Sequence, residues 1–105
     1  MVEFRERALS DGGCVLSVEG EFDLAVVDAF LERALALLDS ATALELDLQG
    51  VSFIDSSGLG ALVRVRKEAA ERGKAVSLVN VSPATHRLLE ITGLHQAFDI
   101  TPRQD

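Results

Sequence analysis

The sequence predicts one α/β domain with a mixed, mostly parallel sheet of four to five strands and helices mainly on one face. In short segments apolar and polar residues alternate, as in strands, and between these segments apolar residues recur every three or four positions, as in helices. The chain of 105 residues can bury a single core. We therefore expect one domain over residues 1–105 in the order β-β-α-β-α-β-α-β, with an ordered core at about 2–100 and a short polar tail at 101–105.

The first two strands are expected to form a hairpin. A weak strand from Val2 to Ala8 and a stronger one from Cys14 to Glu19 flank the segment Asp11-Gly12-Gly13. Aspartate and glycine at these positions are typical of a hairpin turn.

The third strand shows which faces of the sheet are covered. Leu44, Leu46 and Leu48 alternate with Glu45 and Asp47, so one face of the sheet should be partly exposed to water. The remaining strand segments are Ala75–Val79 and, more weakly, Ala97–Ile100.

Three segments with helical periodicity connect these strands. The third begins at Ser82-Pro83, where a capping residue precedes a proline at the first helical position, and it ends before Gly93. The positions that define the first two helical faces are Val27, Phe30, Leu31, Ala34, Leu37 and Leu38, followed by Leu59, Leu62, Val63, Arg66 and Ala70.

Charge and composition argue against several classes of function. The formal net charge is −7, from 17 acidic against 10 basic side chains, so we expect repulsion from nucleic acid and from anionic membrane surfaces. No stretch approaches the roughly 20 apolar residues of a membrane span, and the N-terminus is charged where a signal peptide is apolar. We therefore expect a cytoplasmic protein without nucleic-acid or membrane partners, in which the single Cys14 belongs to the core.

Polar residues should gather at one edge of the sheet. Strand-helix-strand units form right-handed crossovers, so the strands that end near Glu19, Ile54 and Val79 should run parallel, with their carboxyl ends together. In open α/β sheets this edge is the usual place for ligands and partners. The loops expected there contain Glu21, Asp23, Asp55, Ser56, Ser57, Asn80 and Ser82.

The common catalytic motifs do not match. A dinucleotide-binding motif would need a third glycine where Val63 stands, and a hydrolase nucleophile elbow would need glycines two residues before and after Ser56 or Ser57. His86 and His95 lack the companion cysteines or histidines of a metal site. We therefore expect no catalytic residue, no metal and no cofactor, and we expect both histidines on the surface.

Ser56 stands where an apolar strand turns into a helix, a position at which a hydroxyl can face a partner. Phosphorylation would add about −1.5 to −2 charges, which a helix N-terminus tolerates, but a partner packed here would meet that charge beside Asp23 and Asp55. The residues thus allow a binding switch. They also allow a simpler interpretation, in which Ser56 and the two aspartates only cap helices and Gly58 and Gly60 only permit close packing.

Several blocks, in order and over nearly the whole chain, resemble a STAS domain. They are Gly20-Glu21-Phe22-Asp23, Phe53-Ile54-Asp55-Ser56-Ser57-Gly58-Leu59-Gly60, Val81-Ser82-Pro83-Ala84, Arg87-Leu88-Leu89 and Thr92-Gly93-Leu94. The closest subgroup is that of bacterial anti-sigma factor antagonists. The resemblance implies a regulator that catalyses nothing itself. When unphosphorylated it binds an anti-sigma factor, a serine kinase of the histidine-kinase-like ATPase fold, and so frees a sigma factor.

The resemblance also implies roles for single residues. The resemblance implies that Ser56 is the phosphoacceptor and that ATP and Mg²⁺ belong to the kinase. It also implies that a PP2C-type phosphatase removes the phosphate. Asp23, Gly58 and Leu59 are implied to contact the partner, and Ser57 to be a neighbouring cap or contact residue. Together with the shared edge of the sheet, this gives the expected partner-binding set: Glu21, Asp23, Asp55, Ser56, Ser57, Gly58, Leu59 and Ser82.

Two other functions remain open from the sequence. A nucleotide- or small-molecule-binding regulatory module would hold its ligand at the same edge, and nucleotide would bind it in calorimetry without any kinase. A constitutive scaffold subunit would keep its partner affinity in a Ser56→Asp variant.

Overall fold

The computed structural model describes residues 2–103, which form five strands and three α-helices. The predicted order of elements is confirmed, with a short 3-10 helix added before the last strand. The elements are β1 (Glu3–Ala8), β2 (Cys14–Phe22), α1 (Leu24–Ser40), β3 (Ala43–Ile54), α2 (Ser56–Glu71), β4 (Ala75–Val81), α3 (Pro83–Ile91), the 3-10 helix (Leu94–Ala97) and β5 (Asp99–Pro102).

The strands form one sheet in the order β1-β2-β3-β4-β5. The predicted mixed, mostly parallel sheet is confirmed, because β1 is antiparallel to β2 and the other neighbours are parallel. Each helix connects two adjacent parallel strands, and right-handed crossovers that all advance in one direction place their helices on one face. Phe22 of β2 lies opposite Ile54 of β3, so the carboxyl ends of these strands are side by side.

The core lies between the helices and the sheet. Leu44 and Leu46 of β3 are 1% and 0% exposed, and Phe30 of α1 and Leu62 of α2 are also fully buried. Burial of a side chain of this size contributes about 1.5 to 3 kcal/mol relative to its exposure. Cys14 is buried, as predicted.

The opposite face of the sheet carries polar side chains. Glu45 and Asp47, which alternate with the buried leucines of β3, are only half-buried. Across this surface Arg5 Nε of β1 lies 3.0 Å from Glu19 Oε2 of β2. A shallow hollow in the same face is lined by Arg5, Ser17, Glu19, Asp47, Gln49 and Gly50. The prediction that the helices cover mainly one face is confirmed.

Two of the parallel strands are longer than predicted at their carboxyl ends, because β2 continues to Phe22 and β4 to Val81, whereas β3 ends at Ile54 as predicted. Each of the three strands runs directly into the residue that caps the next helix. The sequence signal for β2 weakens because Gly20 has a φ of 109° and the register with β3 shifts between Gly20 and Glu21. Such an irregularity breaks the alternation that identifies a strand.

The last strand was predicted at Ala97–Ile100, and this position is wrong. Residues 94–97 form a 3-10 helix after Gly93, whose φ of 76° glycine adopts without strain, and β5 covers Asp99–Pro102. The predicted polar tail at 101–105 is also too long, because residues 101 and 102 belong to β5. Residues 104 and 105 of that tail lie outside the described part of the chain.

Candidate functional site

The helices α1, α2 and α3 begin at the carboxyl edge of the sheet, each separated from the preceding strand by one capping residue. Asp23 Oδ1 accepts a hydrogen bond from the backbone N–H of Ala25 at 3.1 Å, which confirms its predicted capping role. Ser82 Oγ accepts from the N–H of Thr85 at 3.1 Å and donates to Thr85 Oγ1 at 3.1 Å. The hydroxyl of Ser82 is therefore used inside the protein, although the residue is only half-buried and lines a groove at this edge.

Asp55 caps α2 with one carboxylate oxygen. Its Oδ1 accepts from the N–H of Ser57 at 2.9 Å and from that of Gly58 at 3.1 Å, and its backbone carbonyl accepts from the N–H of Leu59 at 3.0 Å. Asp55 is extended at φ −114° and ψ −172°, and Ser56 is the first helical residue. The simpler interpretation, in which Ser56 is itself the cap, is therefore wrong.

The hydroxyl of Ser56 is free for chemistry outside the fold. The side chain is exposed, and its hydroxyl has no hydrogen-bond partner among residues 2–103. The backbone N–H groups of residues 57, 58 and 59 all donate to Asp55. These three N–H groups are therefore already engaged by the cap. Ser57 is half-buried and does not cap the helix.

Gly58 and Leu59 are buried, so they expose little of their own surface at this edge. A Cβ atom on Gly58 would lie 2.6 Å from the carbonyl oxygen of Phe22 and 2.8 Å from Ile54 Cγ1. Leu59 is 5% exposed and belongs to the core. These two residues fix α2 against the ends of β2 and β3, and thereby position Ser56.

Gly60 differs from Gly58, although the two glycines look equivalent in the sequence. It is exposed, and no atom lies within 4 Å of the position that its Cβ would occupy. The expectation that Gly60 permits close packing within the chain is therefore wrong, whereas the same expectation is confirmed for Gly58.

Two apolar side chains at this edge were not among the expected site residues. Leu24, directly after Asp23, is 73% exposed, and Phe53, two residues before Asp55, is 52% exposed. Phe53 also lines a groove of about 210 Å³, together with Val51, Ser52, Ile54, Ser82, Ala84, Thr85 and Leu88. The sequence did not single out Leu24, because it stands three residues before Val27 and seven before Leu31 and so continues the apolar spacing of α1.

The surroundings of Ser56 are acidic. Glu21, Asp23 and Asp55 place three carboxylates on this edge of the sheet, and the N–H of Asp55 lies 3.5 Å from the carbonyl oxygen of Phe22, which joins the two loops. Within residues 2–103 no group of three or more histidine, cysteine or acidic side chains could hold a metal ion. Over the same residues, no helix combines the length and hydrophobicity needed to cross a membrane.

Comparison with protein-family models matches residues 6–102 to the family described as "Mlab, STAS domain". The chain belongs to the STAS domain family. This confirms the family predicted from the motif blocks.

Known relatives of this STAS domain are similar over most of their length. The anti-sigma-B factor antagonist of Bacillus subtilis (strain 168) is 31% identical over 90 residues, which cover 86% of this chain and 83% of that protein. The anti-sigma-B factor antagonist of Staphylococcus aureus (strain NCTC 8325 / PS 47) is 36% identical over 87 residues, covering 81% and 80%. The crystal structure of an anti-sigma factor antagonist from Mycobacterium paratuberculosis superposes with a TM-score of 0.86 at 31% identity, covering 97% of this chain and 86% of that one.

Proposed function

We propose that this STAS domain is an anti-sigma factor antagonist and that phosphorylation of Ser56 by an anti-sigma factor serine kinase switches its binding off. The observation that carries the proposal is the hydroxyl of Ser56, which is exposed and unused within residues 2–103 because Asp55 caps the helix in its place. The antagonists of Bacillus subtilis and Staphylococcus aureus, at 31% and 36% identity, support the first part of the proposal.

The phosphorylation chemistry belongs to the kinase. The Ser56 oxygen attacks the γ-phosphorus of ATP, which the kinase holds with Mg²⁺, while the bond from that phosphorus to the departing ADP breaks. The hydroxyl proton passes to a base of the kinase. This STAS domain supplies an acceptor on a rigid helix end, and a PP2C-type phosphatase restores the hydroxyl by hydrolysing the phosphate ester.

The added phosphate should repel the partner without disturbing the fold. It brings about −1.5 to −2 charges to an edge that already carries Glu21, Asp23 and Asp55. The α2 dipole tolerates a negative group at this end, and the capping hydrogen bonds of Asp55 do not involve the Ser56 side chain. A partner packed on the edge would have to desolvate the phosphate beside three carboxylates, which weakens binding.

The contact surface that we propose combines acidic and apolar residues. Glu21, Asp23 and Ser56 reach the surface of the edge, and Leu24 and Phe53 add exposed apolar area beside them. Large apolar side chains of this kind serve as anchors when a partner buries them. The remaining residues of the expected set act through the position of α2 and α3 and are Asp55, Ser57, Gly58, Leu59 and Ser82.

The test uses the purified protein and the ATPase-fold anti-sigma factor kinase of the source organism. Binding is measured by calorimetry with ADP, and phosphate incorporation with ATP by intact mass and fragment mass spectra. The wild type and the matched control Ser57→Ala should gain one phosphate and lose affinity, whereas Ser56→Ala should gain none and stay bound.

Two results would contradict the proposal. If the Ser56→Ala protein is still phosphorylated, the phosphoacceptor is another residue. If the phosphorylated wild type binds the kinase as tightly as the unphosphorylated protein does, phosphorylation is not a switch and the protein is a constitutive scaffold. Tight binding of free nucleotide to the wild type, together with no affinity for the kinase, would favour the nucleotide-binding module instead.

A further inference from the structure

Gly60 lowers the stability of α2, and no contact within the described residues requires a glycine there. It lies inside α2, where glycine is less favourable than alanine because it loses more conformational freedom on folding. No atom occupies the space around its missing Cβ, so close packing within the chain does not account for it. Something outside residues 2–103 that comes close to the helix backbone would account for it.

Gly60 shares one face of α2 with the proposed phosphoacceptor. Ser56, Gly60, Arg64 and Lys67 follow each other at spacings of four, four and three residues, which places them in one row along a helix. All four are exposed. We name this row the α2 stripe.

The C-terminal part of the α2 stripe, Arg64 and Lys67, is positively charged, although the net charge of the protein is −7. Arg64 and Lys67 form no ion pair within residues 2–103, as is also true of Arg7, Arg66 and Arg87, whereas Arg5, Arg33 and Arg72 each lie within 4.0 Å of a carboxylate. Unpaired basic side chains on one exposed helix face are complementary to an acidic surface.

We propose that the α2 stripe binds an acidic segment of the anti-sigma factor, whose main chain passes directly over Gly60. The inference rests on the proposed function and adds the chemistry of the partner and the point of closest approach. A side chain at position 60 would hold that segment away from Ser56. Arg64 and Lys67 would face its carboxylates.

The steric part is tested with Gly60→Ala and Gly60→Leu, and with Ala36→Leu as a matched control at an exposed position of α1, outside the α2 stripe. Thermal unfolding should show that Gly60→Ala melts higher than wild type by roughly 2 to 8 °C, because helix propensity improves. In calorimetry with the anti-sigma factor kinase and ADP, Gly60→Leu should bind about tenfold or more weakly, while Ala36→Leu stays within about twofold.

The electrostatic part is tested by raising the salt concentration. The wild type should lose affinity between low and high salt, and the double variant Arg64→Ala with Lys67→Ala should lose distinctly less. If the affinity of the wild type rises with salt, the proposal of an acidic partner segment is wrong, because repulsion between the two proteins would then dominate their electrostatic interaction.

The outcomes separate this inference from the proposed function. If the wild type binds the kinase and Gly60→Leu binds equally well, the inference is wrong and the proposed function stands. If the wild type neither binds the kinase nor accepts phosphate from it, both are wrong.

Discussion

Replacing Gly58 by alanine should destabilise the protein by about 2 kcal/mol, and the reason lies in two close approaches. The new Cβ would lie 2.6 Å from the carbonyl oxygen of Phe22 and 2.8 Å from Ile54 Cγ1. Phe22 is fully buried, and its ring lies 4.8 Å from that of Phe30, so the backbone at this point has little freedom to move away. Either α2 or the end of β2 must shift.

The magnitude follows from two opposing effects. Overpacking a well-packed site costs about 1 to 3 kcal/mol, and the upper end applies here because the obstructing atom belongs to the backbone. The better helix propensity of alanine returns about 1 kcal/mol. A net loss of about 2 kcal/mol lowers the melting temperature of a domain of this size by roughly 8 to 16 °C.

The assay is urea unfolding followed by far-ultraviolet circular dichroism, since the chain has no tryptophan or tyrosine to report by fluorescence. The matched control is Gly60→Ala, the same substitution two residues along α2, where no atom lies within 4 Å of the new methyl group. Gly60→Ala should gain about 0.5 to 1 kcal/mol. A Gly58→Ala protein as stable as Gly60→Ala would refute the steric reasoning.

Substitutions at three further residues test other parts of the site. Asp55→Ala removes the oxygen that accepts two backbone hydrogen bonds and should cost about 1 to 2 kcal/mol, with a smaller loss for Asp55→Asn, as measured by thermal unfolding. Asn80→Ala should cost about 1 to 2 kcal/mol in urea unfolding, because Asn80 has a φ of 55° and donates to Asp47 Oδ1 at 3.1 Å; a stability equal to that of wild type would show that neither feature matters. Leu24→Ser should change stability by less than about 0.5 kcal/mol yet weaken binding to the anti-sigma factor in calorimetry, and unchanged binding would remove Leu24 from the proposed surface.

Much of the fold could be predicted because its elements have clear periods. The alternation of Leu44, Leu46 and Leu48 with acidic residues is maintained in β3, and it correctly indicated a sheet covered on one face. The position of β5 was missed because residues 94–97 turn in a 3-10 helix, whose three-residue period has no distinct apolar pattern over so short a length.

The candidate site was predictable in position but not in the roles of its glycines. The strand-to-helix junction and the capping by Asp23 follow from residue types that favour helix N-termini. Gly58 and Gly60 look alike in the sequence, but two residues along a helix turn the side-chain direction by about 200°, which sends one position into the end of β2 and the other into solvent. Only the placement of α2 against β2 and β3 distinguishes them.

The order of the strands has a consequence for the kind of molecule that this edge can receive. In a doubly wound sheet the strand order reverses, helices part to opposite faces, and a crevice opens between them in which a small ligand is enclosed. Here the parallel strands β2 to β5 follow each other without reversal, so the helix starts stand in a continuous row along the edge of the sheet. Such an edge is an open surface rather than a cleft. It offers little enclosure to a metabolite, but it allows a flat protein surface to touch all the helix starts at once.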